Sequence, residues 1–82
     1  MIEDKVRSLI ENEVNEFGVV IDSIKYEKEG NNNFLRIVID RDKAIDIDTV
    51  VSVTKIVNPI LDANDIINEA YILDISSKEK GV

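Results

Sequence analysis

Cysteine, histidine and tryptophan are all missing from the 82-residue sequence, and proline occurs once. Without cysteine and histidine the chain has no thiolate nucleophile, no imidazole base and few of the usual zinc ligands. Ser-His-Asp and Cys-His sites are excluded for the same reason. The lack of cysteine also excludes a disulfide framework and is compatible with a reducing compartment. Only carboxylates, lysines and hydroxyls remain for chemistry, so we expect neither an enzyme nor a cofactor.

Long apolar runs and a basic leader are missing too. No run approaches the roughly 18 apolar residues that a membrane span requires. The acidic start Met1–Asp4 differs from the positively charged start of a targeting segment. We therefore expect a cytoplasmic domain that does not associate with membranes, and a chain of this size builds one core.

Basic residues are scarce, with 10 Lys+Arg against 17 Asp+Glu and a net charge of −7. One interpretation is that the acidic excess keeps the domain soluble. The other is that it attracts a basic partner, since opposite fields raise association rates. General binding to a phosphate backbone is disfavoured, because that binding depends on basic side chains. Any contact with nucleic acid is therefore expected to be local.

Two segments have the periodicity of amphipathic helices. The first runs from Ile2 to Phe17, and Gly18 is well suited to end it in a left-handed conformation. The second begins after Asp46, a good N-cap, and Pro59 is expected to kink or break it. The predicted apolar stripes consist of Ile2, Val6, Leu9, Ile10, Val14 and Phe17 in the first helix and of Ile47, Val50, Val51, Thr54, Val57 and Leu61 in the second.

Three segments are predicted to be β-strands: Val19–Glu29, Phe34–Asp40 and Ala70–Ser76. A glycine/asparagine turn over residues 30–33 joins the first two as an antiparallel hairpin. Asp22 interrupts the alternation of the first strand, which indicates a bulge or an exposed edge. The residues predicted to face the core are Val20, Ile24 and Tyr26, then Leu35, Ile37 and Ile39, then Tyr71, Leu73 and Ile75.

The predicted order α-β-β-α-β indicates an α+β fold, a two-layer α/β sandwich with both helices on one face of a three-stranded mixed sheet. The helix between the last two strands makes those strands parallel. The order resembles the KH type II-like topology of RNA-binding domains, but the three glycines stand too far apart for a G-x-x-G loop. The other sheet face is expected to stay open, and it carries Lys25, Glu27, Arg36 and Val38.

An acidic loop and a group of basic residues are the candidate sites. The loop Asp40, Asp42, Asp46 and Asp48 lacks the calcium-loop signature, because its sixth and twelfth positions are Ile45 and Val51 rather than glycine and glutamate. Helix capping explains two of these acids, so we expect no metal. The basic group either forms a local patch for RNA phosphates or is neutralised by neighbouring acids across the strands. It consists of Lys25, Lys28, Arg36, Arg41 and Lys43.

Four motifs follow one another in the order and spacing of a known family. Gly30–Asp40 is similar to a glycine/asparagine turn followed by an L-R-V-x-I-D strand, and Ile45–Asp48 to a G-I-T-L-D helix opening. Parts of residues 53–67 are similar to V-S-x-x-(x)-L-L-D-x-x-D-P-I, and Tyr71–Ser77 to a closing Y-x-L-E-V-S-S strand. On these motifs the sequence resembles the amino-terminal domain of the bacterial ribosome maturation factor RimP family.

The resemblance implies a non-enzymatic domain without a cofactor, which binds the assembling small ribosomal subunit. The implied partners are basic ribosomal proteins and rRNA, with no membrane and no small-molecule substrate, and we expect a monomer. We predict that Lys25, Arg36 and Arg41 contact rRNA. The alternative is a protein–protein or self-association module unrelated to ribosomes, which would use the open sheet face and the edge of the first strand.

The sequence departs from the family after Ser77. The family continues with Ser-Ser-Pro-Gly and then a small β-barrel domain, whereas here Lys78-Glu79-Lys80-Gly81-Val82 follows. We expect residues 1–77 to form the domain and residues 78–82 to be a tail or the start of a linker. The sequence then represents an excised domain or a shortened relative. Asp65-Ile66-Ile67 also replaces the family's Asp-Pro-Ile.

Overall fold

A computed structural model describes residues 1–78. The five elements are α1 (Ile2–Phe17), β1 (Val20–Glu29), β2 (Asn32–Asp40), α2 (Ile47–Asn64) and β3 (Ile72–Ser77). The sheet order is β1-β2-β3, with β1 and β2 antiparallel and β2 and β3 parallel. α1 packs against β1 and α2, and α2 packs against β3. The predicted α+β fold with a mixed three-stranded sheet is confirmed.

The helix α1 has the bounds that its periodicity predicts. Val6, Ile10 and Val14 are completely buried. Gly18 ends the helix with φ 105° and ψ 15°, a left-handed conformation that glycine adopts without a steric penalty. Phe17 was predicted to join the apolar stripe, but its side chain is 43% exposed. The turn at Gly18 redirects the chain, so that Val19 enters the core instead of Phe17.

The helix α2 continues through Pro59, so the predicted break is wrong. Proline removes the N–H that would donate to the carbonyl of Lys55, four residues earlier. Both Pro59 and Lys55 are exposed, which leaves that carbonyl accessible to water. The missing hydrogen bond therefore falls on the side of the helix where it costs least.

The buried stripe of α2 also differs from the prediction. Residues at steps of four are buried, whereas Ile47 is 78% and Val51 is 45% exposed. Apolar residues surround much of this helix, so apolar periodicity alone leaves more than one stripe available. Packing against β3 and α1 selects one of them, which consists of Thr49, Val53, Val57 and Leu61.

The predicted irregularity at Asp22 is a β-bulge. Ile21 pairs with Ile39, and the next pair joins Ser23 to Val38, which leaves Asp22 as an extra residue in β1. Because one extra residue reverses the alternation, core-facing positions are odd-numbered before the bulge and even-numbered after it. Val20 therefore points outward, contrary to the prediction, and is 53% exposed.

The core lies between the sheet and the two helices. Leu35, Ile37 and Ile39 of β2 are completely buried, as predicted. In β3, Ile75 is buried and Leu73 packs against the core from a partly buried position, together with Tyr71 just before the strand. The hairpin turn is tighter than predicted, because Glu29 already pairs with Asn32. Among residues 1–78, neither helix combines the length and apolarity needed to cross a membrane.

Candidate docking surfaces

The sheet face opposite the helices, which we call the open face, carries alternate residues of all three strands. Its central row is formed by Lys25 of β1, Arg36 of β2 and Asp74 of β3, which are register partners. The neighbouring row is formed by Glu27, Phe34 and Ile72. Positive, negative and apolar side chains are thus interleaved on this face.

Arg36 is held at the centre of the open face by carboxylates. Its terminal nitrogens donate to Glu27 and Glu29 at 2.5 Å each, and its Nε lies 3.5 Å from Asp74. The guanidinium also lies 4.4 Å from the centroid of the Phe34 ring, within cation–π range. Hydrogen bonds to Glu29 and Glu27 raise the pKa of Arg36. All three guanidinium nitrogens therefore lie against carboxylates of the domain, which favours the neutralised interpretation for this residue.

The two other predicted contacts differ from Arg36 and from each other. Lys25 is exposed, and no ion pair joins its ammonium group to any residue in the described range 1–78. Arg41 follows β2, and its Nε and Nη2 donate to the carbonyl of Ala44 at 3.2 and 2.7 Å. Four residues lie between Arg36 and Arg41, and the five steps of extended chain place the two residues about 17 Å apart. The structure thus brings Lys25 and Arg36 together and leaves Arg41 apart, and contact with rRNA stays a prediction.

In the acidic loop, Asp46 caps α2 as predicted. Its Oδ1 accepts hydrogen bonds from the backbone N–H and the hydroxyl of Thr49 at 2.9 and 2.7 Å. These two bonds lower the pKa of Asp46, because they stabilise the charged form. Within residues 1–78, the acids are not gathered into any group of three or more that could hold a metal ion.

A second surface, which we call the acidic groove, lies between the end of α2 and β3. Three carboxylates, Asp62, Asp65 and Glu69, line a depression of about 470 Å³. The hydroxyl of Tyr26 donates to Glu69 at 2.9 Å and fixes its position. The remaining lining residues are uncharged; they are Asn58, Ile67, Ala70, Tyr71 and Leu73. The groove therefore has a negative charge without a cation in its walls.

The carboxylates of the acidic groove affect the tyrosine beside them. Burial raises the pKa of Tyr71, and the charges of Asp62 and Asp65 raise it further. The two carboxylates would repel the negative charge of the deprotonated phenol, which explains why the pKa of Tyr71 is raised. The negative field of Asp62 and Asp65 therefore reaches the start of β3.

Sequence reasoning missed the acidic groove. A signal was present, since three acids occur within the eight residues from Asp62 to Glu69, between the second helix and the last strand. These acids form one groove only because β3 packs against the end of α2, which brings Tyr71 and Leu73 beside them. The linear sequence does not contain that arrangement.

The fold has a counterpart among solved structures, and the sequence matches a family model. A double variant of MamM-CTD matches 96% of this chain and 95% of its own chain, with a TM-score of 0.52 and 11% sequence identity. At that identity the likeness shows the fold alone. The model of the RimP N-terminal domain family matches residues 9–78, from the middle of α1 to the end of β3. On that match across most of its length, the chain belongs to the RimP N-terminal domain family, which has a role in ribosome maturation.

Proposed function

We propose that this chain binds the assembling small ribosomal subunit in the cytoplasm as a non-enzymatic maturation domain. The observation that carries the proposal is the family match over residues 9–78. The role is that of a reversible docking module, which presents a surface to its partner and catalyses no reaction. This proposal goes one step beyond the family role, because it names the particle that is bound.

The charge of the domain supports ribosomal proteins as the main contact. Seventeen acids against 10 basic residues give the chain a net charge of −7, and ribosomal proteins are basic. Exposed acids on α1 include Asp4, Glu13 and Glu16. A field of this sign speeds encounter with a basic surface and suppresses association with an acidic one. The acidic helix faces are therefore our proposed contact with basic ribosomal proteins.

Our proposed contacts with rRNA are Lys25, Arg36 and Arg41. The surroundings of each side chain decide how readily it can bind a phosphate. The ammonium of Lys25 is exposed and available to a phosphate. Arg36 would have to exchange Glu27 and Glu29 for a phosphate, and Arg41 would have to release the carbonyl of Ala44. We therefore propose Lys25 as the first of the three to meet the rRNA backbone.

Sedimentation tests the proposal. The tagged chain is expressed in cells, and extracts are separated on sucrose gradients, with an unrelated domain of the same size and net charge as the control. We expect the chain to migrate with small-subunit particles, and migration no different from that of the control would overturn the proposal. Lys25→Glu should reduce the association more than Lys55→Glu, a matched reversal at an exposed lysine of α2.

A further inference from the structure

The outer edge of β3 is an unpaired strand edge. β3 pairs only with β2 among the described residues. The backbone N–H of Lys78 donates to the carbonyl of Ile39 at 2.7 Å, so even-numbered residues point their backbone groups toward β2. The backbone N–H and C=O groups of successive residues point alternately to the two neighbouring strand positions. Those of Leu73, Ile75 and Ser77 therefore point away from β2, to the open edge.

The edge formed by β1 is protected against pairing with another strand, whereas the outer edge of β3 is not. β1 contains the bulge at Asp22 and five charged residues among its ten, devices that discourage pairing with another strand. The carboxylate of Glu3 also accepts a hydrogen bond from the backbone N–H of Tyr26 at 3.3 Å. β3 has the sequence ILDISS, with one charged residue, no proline and a regular register with β2. The contrast indicates that the edge of β3 is the one open to a partner.

The acidic groove adjoins β3 on the helix side of the sheet. Leu73 of β3 and Tyr71, just before the strand, form part of its wall, together with Asp62, Asp65 and Glu69. A strand added to β3 would direct every second side chain to the helix side. Those side chains would point toward the groove, where a lysine or arginine meets the carboxylates of Asp62 and Asp65. The third carboxylate, Glu69, is held by the hydroxyl of Tyr26 from β1, at the opposite edge of the sheet. The intervening side chains would lie on the open face beside Ile72 and Asp74, which are exposed.

We infer that the outer edge of β3 binds an extended, basic segment of a partner protein by strand addition, with alternate Lys or Arg side chains in the acidic groove. Main-chain hydrogen bonds to Leu73, Ile75 and Ser77 supply affinity, and the carboxylates select basic side chains. This deepens the proposed function and rests on it for the source of the segment, an extended stretch of a ribosomal protein. The recognition of basic side chains by the carboxylates does not depend on which protein supplies the segment.

Charge favours such a segment over a second copy of the chain. Two copies joined through β3 would bring the Asp62 and Asp65 carboxylates of each copy toward the same edge, with a charge of −7 on each chain. Like charges at an interface oppose association. The edge is therefore complementary to a basic strand and not to itself.

A synthetic peptide of about eight residues, long enough to span β3, tests the inference. It alternates lysine with threonine, and a glutamate-threonine peptide is the control. Binding is followed by fluorescence anisotropy, and exchange of backbone amide hydrogens is followed by NMR. We expect saturable binding of the lysine peptide alone, with slower exchange at the amides of Leu73, Ile75 and Ser77. Absence of binding, or binding that leaves these amides unprotected, would overturn the inference, as would dimerisation of the free chain through this edge.

Two variants separate the groove from the edge. Asp62→Asn with Asp65→Asn should weaken peptide binding about five-fold, from the loss of two exposed ion pairs. Glu13→Gln with Glu16→Gln removes the same charge from α1 and should have a smaller effect. Ser77→Pro removes one outward N–H and should weaken binding without breaking the ladder with β2. Equal weakening by the two double variants, or unchanged binding by Ser77→Pro, would contradict the inference.

The outcomes distinguish this inference from the proposed function. A chain that migrates with small subunits but does not bind the lysine peptide would overturn the inference and leave the function intact. A chain that binds the peptide but does not migrate with small subunits would overturn the function and retain the edge as a peptide site. The sedimentation and peptide experiments therefore report on different claims.

Discussion

Asp46 shows how one side chain fixes the start of an element. Its Oδ1 accepts hydrogen bonds from the backbone N–H and the hydroxyl of Thr49. The first of these satisfies a donor that the first turn of a helix leaves open. The residue was recognisable from the sequence because a capping aspartate precedes an apolar stripe. The hydrogen bond from the Thr49 hydroxyl could not be recognised from the sequence. Thr49 is also the first buried residue of α2.

Replacing Asp46 should destabilise the domain in a pH-dependent way. The pKa of Asp46 is lowered in the folded state by its bonds to Thr49, so its contribution to stability is fully present above its unfolded pKa, about 3.9. That contribution is lost as the pH falls through the folded-state value. We expect Asp46→Ala to lower the melting temperature at pH 7 and to have a smaller effect once the pH falls below the folded-state pKa of Asp46. Thermal unfolding followed by circular dichroism measures both, and a deficit that persists at low pH would contradict the assignment.

Ile37 is the residue at the centre of the core. It is completely buried in the middle strand, between Leu35 and Ile39, which are also buried. We expect Ile37→Ala to lower the free energy of unfolding by about 3 kcal/mol, from lost burial and the cavity left behind. Urea denaturation measures the change. Val20→Ala, at an exposed position of β1, is the control, and a similar loss there would contradict the assigned register.

At the scale of elements, the bounds of the helices followed from the sequence better than their orientations. The ends of α1 coincide with the predicted ones because Gly18 ends it. The buried stripe of α2 differs from the predicted one, because Ile47 and Val51 are apolar yet exposed. The bulge at Asp22 was visible as an interruption, but its effect on Val20 depends on the pairing with β2. Periodicity therefore identifies an element, and its neighbours decide which side is buried.

Pro59 lies inside α2, a position where proline normally lowers the stability of a helix. The helix is continuous across it, so an alanine there can restore the missing N–H without moving the chain. We expect Pro59→Ala to raise the free energy of unfolding by about 2 kcal/mol, the helix penalty of proline less its benefit in the unfolded state. Asn58→Ala, at the exposed neighbouring position, is the control and should change stability much less. A loss of stability in Pro59→Ala, measured by urea denaturation, would show that the proline supports a bend.

At the scale of the whole molecule, the candidate surfaces depend on the sheet order. The sequence predicted an open face with Lys25 and Arg36, and the structure confirms that they are neighbours. The interpretation that acids across the strands neutralise the basic group anticipated Glu27 and Glu29 beside Arg36. It did not anticipate Asp74, because that contact requires β3 to lie beside β2. The acidic groove likewise exists only because β3 lies at an edge beside the end of α2. Strand order is not encoded in any local pattern.

Equilibrium binding of the purified, fluorescently labelled chain to small subunits purified from assembling cells tests the central claim most directly. We expect saturable binding with one chain per particle, complete displacement by an excess of unlabelled chain, and recovery of the chain unchanged. A signal that rises without saturation, or that the charge-matched control domain displaces equally well, would contradict it.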